Sequence, residues 1–281
     1  MNSPVTLLSF NINDIGDQFD QALERLPKDE HEQVLRYKFE SDRRHALVGR
    51  LLRRYYYSRK LNIPWDSLKF YLQKHGKPAL IHPQGKWTDF NISHDGDWVI
   101  FGATEEQDMC IGVDVVWMNQ TTFGSINDFI FSFSDQLMIE EQDLLRQIEN
   151  EQDRLLTFYQ IWGVKESYIK AIGKGLGLDL NDFCIQQVTS RVDVGGTQKR
   201  RTTLELKTKE KKNHWCIYLG YLDSQSISTI CYGSSNAKSP LDNHLVALGH
   251  TTLELGEKFD EKHPKNIFTR MDLCSLLSSL V

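Results

Sequence analysis

The sequence predicts an α+β protein of two similar halves, each a small antiparallel sheet with packed helices. Three observations carry this: an amphipathic helical stretch followed by extended runs, the same order repeated downstream, and a composition able to fill both cores. In the first half, Leu47, Val48, Leu51, Leu52, Tyr55 and Tyr56 recur at three-to-four spacing and predict a helix over 41–61 with Ser41 as its cap. Asn62-Ile63-Pro64 stops it, since the residue before a proline is pushed out of the helical region. Extended runs follow over 68–72, 98–103 and 111–117, with Gly76-Lys77-Pro78 as a turn. The second helix is expected over 155–172, burying Phe158, Ile161, Trp162, Tyr168, Ile169 and Ile172. Gly173-Lys174-Gly175-Leu176-Gly177 follows that helix instead of preceding one, so it reads as a helix stop and not as a phosphate loop. Further extended runs are expected over 203–206, 215–221 and 227–232, with the basic segment 207–212 as a hairpin loop. The halves join around 117–122, giving a division into 1–118, 119–234 and, after a Ser-rich linker, a C-terminal appendage at 235–281. No internal sequence repeat accompanies the doubling.

At 281 residues, 40% hydrophobic and 25% charged, the composition is that of an ordinary globular protein. The net charge of −5 excludes a dominant electrostatic footprint for nucleic acid, so any anion site must be local. The five cysteines, Cys110, Cys184, Cys216, Cys231 and Cys274, are scattered with no CxxC pair, which favours a reducing compartment. Residues 1–10 lack the pattern of a secretory signal, and no run approaches the roughly 18 apolar residues of a membrane span. A cytoplasmic protein without membrane association is expected.

Within Ile111-Gly112-Val113-Asp114-Val115-Val116-Trp117 a carboxylate interrupts an apolar extended run, where aspartate is disfavoured. Asp114 faces either a cation or water-filled cleft, or a solvated sheet face. Glu166 and Lys170 lie four apart on one face of the second helix. An exposed pair of this kind is common and is worth only about 0.2–0.5 kcal/mol, but here it stands among large apolar residues. Asn91-Ile92-Ser93-His94, read as a loop before the 98–103 run, offers amide, hydroxyl and imidazole groups suited to phosphate oxygens, although a lone loop histidine is commonly just solvated. Arg36, Lys38, Arg43, Arg44, Arg50, Arg53, Arg54, Arg59 and Lys60 form a basic region, expected to be mostly a solvated helix face with one or two members free to meet a phosphate or an acidic partner.

In this order and at these separations, Gly76-Lys77-Pro78, Asn91-Ile92-Ser93-His94, Gly112-Val113-Asp114 and Trp162 through Lys170 with Gly173 resemble the surfactin-synthetase-activating type of 4′-phosphopantetheinyl transferase. Gly49-Arg50-Leu51 leading to Lys60-Leu61-Asn62-Ile63-Pro64-Trp65, and Ala171-Ile172-Gly173 leading to Gly175-Leu176-Gly177, are similar to the eukaryotic aminoadipate-semialdehyde dehydrogenase phosphopantetheinyl transferases. The resemblance implies two pseudo-symmetric halves with the active site between them, in a monomer. It also implies Mg²⁺-dependent transfer of phosphopantetheine from coenzyme A to a serine of an acyl or peptidyl carrier protein, with carrier domains of fatty acid synthase and aminoadipate reductase as candidate partners.

Carried over by position, Asp114 and Glu166 would bind Mg²⁺, and Lys170 and His94 would contact the coenzyme A diphosphate. Gly76, Lys77 and Pro78 would hold the adenosine end, and Asn91, Ile92 and Ser93 would line the same pocket. Arg36 and Arg44 are candidates for the 3′-phosphate or the carrier protein. Catalysis would rest on Glu166 as proton acceptor, on Lys170 and on Asp114. Bacterial members carry another acid two places after the aspartate, where this chain has Val116, so the metal shell would draw more on water. Two rival readings follow from other features: a catalytically silent carrier-binding module, and a metal-dependent hydrolase of coenzyme A or another nucleotide.

Overall fold

A computed structural model of the chain describes residues 4–118, 124–175, 180–194, 197–208, 214–234, 253–262 and 265–278. In chain order its main elements are β1 (Val5–Asn11), α1 (Phe19–Leu23), α2 (Lys28–Leu35), α3 (Glu40–Leu61), β2 (Phe70–Leu72), β3 (Pro78–Leu80), β4 (Asp89–Asp95), β5 (Trp98–Thr104) and β6 (Cys110–Trp117). There follow α4 (Ile126–Phe131), α5 (Ile139–Gln147), α6 (Glu151–Ile172), β7 (Phe183–Val194), β8 (Thr197–Thr208), β9 (His214–Asp223), β10 (Ser226–Ser234), β11 (Thr269–Arg270) and α7 (Leu273–Leu277). This is the α+β class expected, and it divides into two compact units, 1–107 with 268–281, and 108–267.

In the first unit a sheet ordered β11-β1-β5-β4 packs beneath α3. Its long strands pair antiparallel, and β11 adds a short parallel edge. The three-to-four spacing in α3 delivers Leu47, Val48, Leu51 and Leu52 to a core completed by Phe10, Phe90, Val99 and Phe101. The helix begins at Glu40, after an extended Phe39, so Ser41 lies inside the first turn and is not the cap. Glu40 and Asp42 instead place carboxylates near the helix N-terminus. The stop is as expected, with Asn62 in the left-handed conformation and its N–H bonded to the Ser58 carbonyl oxygen. The expected solvated basic face is partly wrong: Arg53 and Arg54 turn inward onto the buried carboxylate of Glu30 in α2.

Residues 89–95 are a strand and not a loop: β4 pairs with β5 from Asp89↔Thr104 to Asp95↔Trp98 across the Gly96 turn. Polar residues hid its alternation, with Asn91 and Ser93 buried while Ile92 and His94 take the other face. The C-terminal stretch is also more than an appendage, because β11 and α7 complete the first unit's sheet and core.

In the second unit β6, β10 and β9 form an antiparallel sheet against α6. The boundary expected at 118 differs from the observed division, since β6 hydrogen-bonds along its length with β10 and takes Asp114 into the second unit. Helix α6 starts earlier than expected, where Asn150 caps the N–H groups of Gln152 and Asp153, and it ends at a left-handed Gly173. Lys207 and Thr208 lie in β8, while 209–212 of the expected hairpin loop, the join at 119–122, the linker after Ser234 and the Leu176-Gly177 pair fall outside the described residues.

Candidate functional site

Strand β6 lies almost on the backbone of α6. A β-carbon on Gly112 would sit 1.9 Å from the Ser167 carbonyl oxygen and 2.4 Å from the Ala171 nitrogen, so only glycine is admitted. Gly163, Ser167 and Ala171 form the small-residue stripe of α6 that permits the approach. Across the sheet, Thr229 of β10 pairs with Asp114, and its hydroxyl donates to the Gly163 carbonyl oxygen at 2.7 Å. Gly112→Ala is therefore expected to destabilise the unit by about 3 kcal/mol or more, read as a lower midpoint in urea denaturation.

This contact sets the geometry of the acids. Asp114 shares the α6-facing side of β6 with Gly112 and Val116 and is buried, at 5% exposure. Lys170, one turn beyond Glu166, donates from Nζ to Asp114 Oδ1 at 2.5 Å. Burial pushes the Glu166 carboxyl up, and the neighbouring Asp114 charge pushes it further, with Lys170 opposing. Two carboxylates thus share one small polar site with an ammonium, and each charge disfavours the other. Of Asp114's two alternatives, the solvated sheet face is excluded. Val116 is buried, and a β-carbon on Gly163 would lie 3.2 Å from its Cγ2, so an acid there would meet the helix backbone.

The other residues singled out lie in the first unit. Gly76 turns the β2–β3 hairpin with a positive φ of 85°, and the Gln73 N–H donates to the Lys77 carbonyl oxygen. Lys77 is buried and donates to Asp89 Oδ2 at 2.6 Å, tying the hairpin to β4 just before Asn91, so its ammonium does not project into solvent. Pro78 opens β3. His94 is exposed on β4, and its ring stacks on that of His45. Arg44 donates to the carbonyl oxygens of Ile12 and Gly16 and to Glu40, which makes it a tie between α3 and the turn after β1. Arg36 is exposed, its guanidinium over the Tyr37 ring.

Sequence reasoning passed over Asp89, His45 and Lys165. Lys165, inside the same Trp162–Lys170 segment, is fully buried on Glu141 of α5 and points away from Asp114. A signal existed for it: five residues separate Lys165 from Lys170, about 140° around a helix. Among the described residues no group of three or more His, Cys, Asp or Glu side chains is placed to hold a metal ion, and no helix is long and apolar enough to cross a membrane.

Residues 13–106 match the family model described as 4′-phosphopantetheinyl transferase, N-terminal, and residues 110–231 match that of the 4′-phosphopantetheinyl transferase superfamily. The two matches meet where the units divide. The chain is 33% identical over 206 residues to the L-aminoadipate-semialdehyde dehydrogenase-phosphopantetheinyl transferase of Mus musculus, covering 72% of this chain and 65% of that protein, just under two thirds of its length. The same-named protein of Xenopus laevis is 32% identical over 210 residues, 73% of this chain and 67% of its own. Bacillus subtilis 4′-phosphopantetheinyl transferase ffp is 33% identical over 170 residues, 60% of this chain and 70% of its own.

Proposed function

The chain belongs to the 4′-phosphopantetheinyl transferase superfamily, and from that membership we propose that it moves phosphopantetheine from coenzyme A to a serine of an acyl or peptidyl carrier protein. The observation that carries the proposal is the buried Asp114 carboxylate, bonded to Lys170 and electrostatically coupled to Glu166.

The donor set fits Mg²⁺, which is held through one or two carboxylates and keeps several waters. Asp114 and Glu166 would hold it, and a cation there would offset the burial and then the Asp114 repulsion that raise Glu166. When bound, the ion supplies charge neutralisation on the diphosphate. In the reaction the carrier serine oxygen forms a bond to the phosphorus next to pantetheine, the bond from that phosphorus to the bridging oxygen breaks, and adenosine 3′,5′-bisphosphate leaves. Glu166, beside the ion, accepts the serine proton directly or through water. Lys170, partly exposed and beside Asp114, offsets charge growing on the phosphoryl oxygens.

His94 and the buried Asn91 and Ser93 are the proposed first-unit contacts for coenzyme A, with Ile92 among them on β4. Lys77, committed to Asp89, serves by fixing the Gly76–Pro78 turn. Arg36 is the better exposed candidate for the 3′-phosphate or the carrier, since Arg44 is engaged by two carbonyls. Carrier domains of fatty acid synthase and aminoadipate reductase type are the proposed partners. We also propose a monomer in the cytoplasm, a compartment that suits five free cysteines.

Incubation of the full chain with coenzyme A, Mg²⁺ and a panel of apo carrier proteins, followed by intact-mass measurement, tests this reading. The expected result is a gain of one phosphopantetheine on the carrier. Binding without modification would mean a carrier-binding module, and bisphosphate release without any carrier would mean a hydrolase.

A further inference from the structure

His45 sits on α3 at 7% exposure, and its ring lies flat against that of His94, with centroids 4.8 Å apart and planes 17° from parallel. Its Nε2–H donates to the Gly96 carbonyl oxygen at 2.9 Å, in the turn between β4 and β5. A carbonyl only accepts, so Nε2 carries the proton, and Nδ1, buried without a hydrogen-bond partner, is the lone-pair nitrogen. Burial favours this neutral form, opposed by the Gly96 bond and by the charges of Asp42 on α3 and of Asp95 and Asp97 at the turn. The helix thus presents one anchored, uncharged aromatic face to an exposed histidine on the neighbouring strand.

We infer that His45 is a positioning residue for His94, holding the exposed imidazole in one orientation against its own anchored ring. An exposed imidazole gives up side-chain freedom when it grips an anion, and a stacked platform removes part of that cost in advance. A ring fixed to Gly96 does this better than a mobile one, because the turn that anchors His45 is also the turn that ends β4 just after His94. The inference rests on the reading of His94 as a contact for the coenzyme A diphosphate. It assigns His45 no contact with coenzyme A.

The test uses the full chain, with coenzyme A affinity read by calorimetry and transfer kinetics read by carrier modification. His45→Ala should weaken coenzyme A binding and raise its KM about fivefold, the size of one stacked aromatic pair, with kcat within about twofold. His45→Phe, which keeps the ring, should recover most of the affinity, whereas His45→Gln, which keeps only a polar group near Gly96, should not. In a His94→Ala background, His45→Ala should add nothing. Unchanged affinity in His45→Ala, or an equal loss in the His94→Ala background, overturns the inference. Should His45→Ala fail to fold, equal affinities for His45→Phe and His45→Gln overturn it. If His94→Ala alone leaves affinity unchanged, the assignment of His94 to coenzyme A has failed, and the role of His45 falls with it.

Discussion

Asp114→Asn should lower the rate of carrier modification by roughly 10²–10⁴-fold, the range for loss of a group that organises transition-state charge. The fold should survive, because asparagine keeps an Oδ1 acceptor for Lys170, and that lysine is partly exposed to solvent. Glu166→Gln should cost a similar factor, but its stability should move in the opposite direction from an ordinary loss of charge. The Glu166 carboxyl is raised in the folded chain, chiefly by burial and then by Asp114, with Lys170 opposing. As pH rises through the ordinary glutamate range the unfolded chain loses this proton first, so the native state binds more protons and stability falls until the raised value is passed. Above that window the glutamine variant escapes the penalty and should melt at or above the temperature of the unsubstituted chain. Below the ordinary range the two should converge. Thermal melts across pH, alongside intact-mass rates, check both halves of the expectation. A glutamine variant that is fully active, or one less stable at neutral pH, would remove Glu166 from the proposed site.

What the sequence carried, and what it did not, follows from side-chain size and sign. The face of α3 was legible because large apolar residues at three-to-four spacing have one physical use, and Leu47, Val48, Leu51 and Leu52 all reached the core. The ends at Asn62 and Gly173 were legible for an equally local reason, the left-handed turn. Strand β4 was missed because its alternation is written in Asn91 and Ser93, buried polar residues that resemble a loop until their pairing partners are known. Strand β1 likewise depends on a distant partner, with Val5↔Thr104 in its register. At the site, Asp114, Glu166 and Lys170 stood out by charge in apolar surroundings. The stripe that brings them together, Gly163, Ser167 and Ala171 against Gly112, is made of small residues with no hydrophobic signal at all. Lys77 shows the reverse limit: its charge advertised a ligand contact, and the fold spends that charge on Asp89.

Lys165→Ala should lower stability by about 3–5 kcal/mol, the cost of stripping one partner from a buried ion pair. The Lys165 and Glu141 side chains are 0% and 1% exposed and meet at 2.6 Å. The ammonium also donates to the Phe183 carbonyl oxygen at 2.9 Å. Glu141 in turn accepts the backbone N–H of Ile185 through Oε1 and that of Met138 through Oε2. One pair therefore ties α5, α6 and the start of β7, and without the lysine a carboxylate is left in an apolar interior. Replacing both partners, as Glu141→Gln with Lys165→Met, should recover much of the loss, since the isolated charge and not the missing attraction dominates it. Urea denaturation separates the cases, and turnover per folded molecule separates Lys165 from Lys170. Lys165→Ala should keep most of that turnover, whereas Lys170→Ala should lose turnover with a smaller loss of stability than Lys165→Ala, because Lys170 is partly exposed although Asp114 is buried. Two lysines of one segment would then fail in opposite ways, because a helix turned through five residues sends one into the core and the other to Asp114. If Lys165→Ala were as stable as the unsubstituted chain, the tie between α5, α6 and β7 would be disproved.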